Sequence, residues 1–181
     1  MTLAAVVSYN YAMAGPQTEA WQRGPVPGFD PWLMPVVHAL IQAREDLERL
    51  AAQVPPAHVW QRPGGAASIG FHVRHTGGAL DRLLTYARGD TLSDAQRAFA
   101  KDEGTPGEPA ATMDSLVAEV SWSIDRAFDQ LRATSASSLL DARKVGRAGL
   151  PSNVLGLLFH AAEHCTRHVG QAITTARVLS D

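Results

Sequence analysis

The stretch SNVLGLLFHAAEHCTRHVGQAITTARVL, residues 152–179, follows Gly146, Gly149 and Pro151. It reads as one helix of roughly seven turns or more, long for a globular protein. His160, His164 and His168 recur in it at every fourth position. Four residues advance a helix by about 400°, so each imidazole lies about 40° around from the last with about 6 Å of rise. One face of this helix is therefore expected to be lined with imidazole.

Upstream, helical patterns recur three times. Asp30-Pro31 pairs an N-cap residue with a proline at the first helical position. Leu33, Val36, Val37, Leu40, Ile41, Leu47 and Leu50 then follow at spacings of three, four and seven, giving a first helix from Trp32 to Leu50. Pro35 falls in its first turn, where a missing amide costs least. Ser68 caps a second helix, whose apolar positions Ile69, Phe71, Val73, Leu80, Leu83 and Leu84 run to a stop at Gly89. Thr112 caps a third, carrying Leu116, Val117, Val120, Trp122, Ile124, Phe128 and Leu131.

Pro55, Pro56, Pro63, Gly64 and Gly65 break the chain between the first two helices, and the polar segment from Asp90 to Ala111, with one short helix at Ser93–Lys101, forms a long crossover. Strand signals are nearly absent: no Asn-Gly or Asp-Gly turn and no sustained alternation. The expectation is an all-α fold, a four-helix bundle over residues 30–181 with a long crossover between helices 2 and 3. Residues 1–29 form an N-terminal arm, because Gly15, Pro16, Gly24, Pro25, Pro27 and Gly28 interrupt any regular element.

The 181 residues suit a single domain, and 45% hydrophobic against 19% charged residues suits a buried core rather than disorder. Sixteen basic and eighteen acidic side chains leave a net charge of −2, with no basic surplus to neutralise a phosphate backbone, so nucleic-acid binding is disfavoured. The one cysteine, Cys165, cannot form an internal disulfide, and a lone thiol suits a reducing, cytoplasmic compartment. The opening MTLAAVVSYNYAMAG lacks the basic n-region of a secretory leader, and no apolar run is long enough to span a membrane.

Two histidines one turn apart can share a metal, and a bundle core is where facing helices converge such ligands; His72 and His75 of the second helix are candidates for the third nitrogen. Other metal chemistries lack their residues. A di-iron carboxylate bundle needs Glu-x-x-His twice, and no glutamate has a histidine three positions on. In His160-Ala-Ala-Glu163-His164 the glutamate sits about 100° from its neighbouring histidine, so the base placement of a zinc protease is not implied. No C-x-x-C, G-x-S-x-G, Walker or dinucleotide motif occurs. Cys165 turns away from the imidazole stripe and reads as a small structural hydrophobe.

Ser68-Ile-Gly-Phe-His72-Val-Arg-His75 followed by Leu80, and His160-Ala-Ala-Glu-His164-Cys-Thr-Arg-His168-Val-Gly170-Gln171, resemble the two signature helices of the DinB/YfiT-like superfamily over roughly residues 30 to 180. These are bacterial four-helix bundles grouped as metal-dependent hydrolases. The resemblance implies a metal triad of His75, His164 and His168, with His72 and His160 as extras that serve as a partner, a proton shuttle or a substitute ligand. The arginine usual before Gly-Gln is Val169 here, a departure expected to alter the rim of the site. Relatives include thiol S-transferases and isomerases that use low-molecular-weight thiols such as mycothiol or bacillithiol.

Three neutral imidazoles leave a divalent ion such as zinc or nickel one open position, where water is acidified towards pKa ~7 or a thiol is held as thiolate. Arg82, on the same face as His75, is a candidate for binding a substrate carboxylate, and Gln171, one turn beyond His168, for orienting a ligand. Gly77 and Gly78 cost about 1 kcal/mol each inside a helix, which points to close helix approach or room above the metal. The expected function is a metal-dependent enzyme of hydrolase or thiol S-transferase type acting on a small molecule. The alternatives are a non-catalytic metal-binding or interaction protein of the same fold, or an imidazole stripe that is a packing accident. Trp21, Trp32 and Trp60, in or beside the arm and first loop, either cover the bundle or anchor a partner, and a homodimer is expected.

Overall fold

The computed structural model describes residues 18–180. Its four long helices are α1 (Met34–Ala51), α2 (Ile69–Arg88), α4 (Met113–Ala133) and α5 (Val154–Ser180), with a short α3 (Asp94–Asp102) in the crossover. Helix α2 packs against α5 and α4, and α1 against the same two, which closes a four-helix bundle; α3 lies on α2. Leu40 and Leu47 of α1, Ile69 and Leu80 of α2, Leu116, Ile124 and Leu131 of α4 and Leu158 of α5 are its largest fully buried side chains. Their helical spacing in sequence is the cause of that shared interior.

The helix ends follow from local chemistry. Ser68 Oγ accepts from Phe71 N–H to start α2, and Gly89 ends it in the left-handed conformation at φ 88°. Ser93 and Thr112 start α3 and α4, each as half of a reciprocal capping box. Asp30 caps a 3-10 turn, Pro31–Leu33, that leads into α1, and Asn153 Oδ1 takes the Gly156 amide at 2.7 Å to start α5. Within the arm, the structure from Thr18 onward includes a 3-10 turn, Ala20–Arg23, tied to α1 by two Arg23–Glu45 hydrogen bonds of 2.5 and 2.6 Å. The part of the arm before Thr18 lies outside the described residues.

One connection differs from expectation. Between α4 and α5 the chain forms an antiparallel hairpin, β1 (Ala142–Val145) with β2 (Leu150–Asn153). Gly146 and Gly149 open and close its turn at φ 65° and 60°, a turn that the Asn-Gly rule does not cover. The hairpin buttresses the bundle: Arg143 Nε donates to Ala87 O at the end of α2 at 2.8 Å. Among the described residues, no helix is long and apolar enough to cross a membrane.

Candidate metal centre

On α5, Ala161, Cys165, Val169 and Ala172 form the stripe that enters the core. His164 and His168 each precede one of those residues, so they flank the stripe and stand at its edge, against α2. On α2 the buried stripe includes Val73, Thr76 and Leu80, and His75 flanks it in the same way. Cys165, fully buried, fills the seam beside them with its thiol 3.8 Å from Thr76 O, and burial pushes that thiol up to about 12. It is the structural hydrophobe its position suggests.

The seam brings His75, His164 and His168 together, each offering a ring nitrogen within 4.8 Å of the other two. His75 Nε2 and His164 Nε2 are 2.9 Å apart, and the ring centroids of His75–His168 and His164–His168 are 4.4 and 4.6 Å apart. Phe71 stacks on His75 at 5.3 Å and 17°, fixing that ring from the side. Burial, then the neighbouring imidazoles, lower His164 and push His168 down to about 4, so both rings are neutral near pH 7. A neutral imidazole keeps the lone pair that a metal needs.

Two further layers surround the triad. His72 is buried, its Nδ1 3.1 Å from His168 Nδ1, and burial followed by the His75 charge lowers its pKa. It is thus a partner to His168, one of the roles open to it from sequence. On the other side Glu103, just after α3, places Oε2 2.7 Å from His75 Nδ1. Burial alone would raise Glu103; hydrogen bonds from His75 and Arg82 and the charge of Arg82 outweigh it and hold the carboxyl below its usual range. Sequence reasoning missed Glu103.

The remaining candidates lie as follows. His160 is half exposed, its ring 5.5 Å from that of His164, and its Nδ1 is 3.3 Å from Glu163 Oε2. Glu163 is taken by Arg167 at 2.5 Å. Arg82 is turned to Glu103, with Nη1 2.5 Å from Oε1 and Nη2 3.4 Å from Oε2. Gln171 is exposed and has no side-chain hydrogen bond among the described residues. Val169 is 2% exposed in the core, so the departure at this position does not reach the rim. Trp60 covers the bundle, its Nε1 donating to Ala111 O at 2.8 Å, while Trp21 and Trp32 are exposed.

The glycines divide by role. A Cβ on Gly77 would stand 3.3 Å from Ser123 Oγ and 3.5 Å from Val120, so this residue permits the close approach of α4. A Cβ on Gly78 would overlap the Glu103 carboxylate.

The donor set fits a divalent cation. Three imidazoles converge, His75 carries its hydrogen-bonded carboxylate, and His164 Nδ1 is a buried polar atom with no partner. Fold and site define a class: helical bundles in which histidines of two facing helices stand close enough together to hold a metal ion. Residues 39–172 match the family model of the DinB superfamily, and the chain belongs to that superfamily. A search of curated proteins finds no match. The fold is also similar to a solved structure described as the conserved protein of locus from Enterococcus faecalis, at 20% identity and a TM-score of 0.62 over 80% of this chain and 95% of that one. At that identity the likeness concerns the fold alone.

Proposed function

We propose that the protein is a metal-dependent enzyme of hydrolase or thiol S-transferase type, using a divalent cation, zinc or nickel, held by His75, His164 and His168. The observation that carries this reading is the convergence of three imidazole nitrogens within 4.8 Å at a seam where the side chains stay partly exposed. A cation there supplies Lewis acidity that makes water or a thiol a nucleophile at neutral pH. The chain's own residues do the rest. His72 orients His168, Phe71 shields one face of His75 from water, and His160 with Glu163 lies beside His164 at the rim. In this reading Gln171, exposed and one turn beyond His168, orients a small substrate.

The test is elemental analysis of protein purified without a histidine tag, followed by a panel of low-molecular-weight thiols with electrophilic substrates and of hydrolysable esters and amides. The expected result is about one equivalent of divalent metal per chain and turnover in one branch of the panel. Metal without turnover in either branch would support a non-catalytic metal-binding role, and protein that takes up no metal would sink the reading altogether.

A further inference from the structure

The histidine triad comes from two helices, but His75 is held by a third part of the chain. Glu103 follows α3, its side chain is only 4% exposed, and both of its oxygens are engaged, Oε2 by His75 Nδ1 and Arg82 Nη2, Oε1 by Arg82 Nη1. An ionised carboxylate only accepts hydrogen bonds. The His75 nitrogen that faces the carboxylate, Nδ1, therefore carries a proton, which leaves Nε2, the atom that faces His164, as the nitrogen able to offer a lone pair.

Gly78 completes the arrangement. A side chain there would overlap the Glu103 carboxylate and stand 2.7 Å from Phe99 and 2.9 Å from Arg82. A glycine mid-helix costs about 1 kcal/mol against alanine, and this one makes room for the Phe99 ring of α3 and the Glu103 carboxylate just after it, both of which lie directly on the α2 backbone. Arg82 in turn offsets the cost of burying that carboxylate.

We infer that the α3 crossover is a clamp on the metal centre, in which Glu103 is a positioning residue that locks the tautomer and orientation of His75 and so sets the affinity for the cation. Arg82 belongs to the clamp rather than to a substrate site, and Gly78 is the space that admits it. The inference rests on the metal reading for its effect on affinity, but the tautomer of His75 is a property of the cation-free protein.

Two measurements test it. Two-bond 1H–15N correlation spectra of cation-free, 15N-labelled protein should show His75 protonated on Nδ1. An Nε2–H form in the wild type overturns the clamp and needs no variant to do so. Zinc titration should then show affinity reduced about 10- to 100-fold in Glu103→Ala and in Gly78→Val, and less in Glu103→Gln, whose amide oxygen still accepts from Nδ1. Unchanged affinity in both Glu103→Ala and Gly78→Val overturns the inference. If Glu103→Ala does not fold because Arg82 is left unpaired, the double change Arg82→Leu with Glu103→Leu takes its place and should show the same loss. A wild type that binds no zinc overturns the metal reading, while the tautomer separately decides whether Glu103 holds His75.

Discussion

His75 and His164 lie 89 positions apart in the chain and place their Nε2 atoms 2.9 Å from each other across the α2–α5 seam. Two such nitrogens facing each other can share a proton or a cation. The expected outcome of replacing them follows. His164→Ala should abolish stoichiometric zinc binding, and His160→Ala should leave it within a fewfold of wild type, because His160 lies outside the group of nitrogens that converge. Titration of cation-free protein with zinc, read by calorimetry, checks both; full metal retention in His164→Ala would refute the ligand assignment.

Acid should destabilise the cation-free protein in a defined window. His168 falls from 6.5 to about 4 on folding, and His72 and His164 shift in the same direction. The unfolded chain therefore binds more protons between those values, and the stability these groups contribute is fully present above pH 6.5 and lost as pH drops towards 4. Glu103 acts in the same sense but only below its ordinary 4.5, so the interval from 6.5 to 4.5 reports the imidazoles. Thermal midpoints measured from pH 8 to 4.5 should be level at first and fall below 6.5. A midpoint that rises on acidification contradicts the neutral, buried state of these rings.

Two helical glycines should respond oppositely to alanine. At Gly70 a Cβ would sit 2.8 Å from three atoms of the Trp60 indole, which is pinned by Ala111 O and by Arg74 over its face at 4.8 Å. Gly70→Ala should destabilise by about 1–3 kcal/mol. Gly170, exposed on α5, has nothing within 4 Å of its Cβ position, and Gly170→Ala should stabilise by about 0.5–1 kcal/mol through helix propensity alone. Urea unfolding of both variants gives the comparison, and equal signs would show that the Trp60 contact is not tight.

Arg143→Ala removes the bond from the hairpin to Ala87 O at the end of α2, and a loss of about 0.5–1.5 kcal/mol is expected from the same unfolding measurement. Zinc affinity should not change, since the contact lies at the far end of α2 from His75. A variant that loses zinc binding instead would mean that the hairpin transmits strain along α2.

The features legible in sequence were those whose chemistry is local. Ser68, Gly89, Ser93 and Thr112 end or start helices through bonds to residues within a few positions, and they do so where expected. The convergence of His164 and His168 was legible because helical spacing places them on one edge, and the matching partner was His75 rather than His72 only by resemblance. The hairpin left no signal, because Ala142–Val145 and Leu150–Asn153 are short, lack alternation and include Pro151. Glu103 was hidden for a different reason: it is 28 positions from His75, just past the short helix of a polar crossover, and its one trace was the mid-helix glycine at position 78, which pointed to close helix approach or room above the metal without naming what approaches. His160 shows the limit of the spacing argument. A drift of about 40° at each step carries it some 80° around from His168, out of the seam and into solvent.

The wide separation of the ligands along the chain has a thermodynamic consequence. A cation joining position 75 to position 164 would tie together the ends of a stretch that contains all of α3, α4 and the β1–β2 hairpin, so that α2 and α5 could not separate without releasing it. Because only the folded chain presents all three nitrogens at once, each tenfold rise in free cation above its dissociation constant would add about 1.4 kcal/mol to folding. The lifetime of this bundle against proteolysis would then track the free-metal level around it.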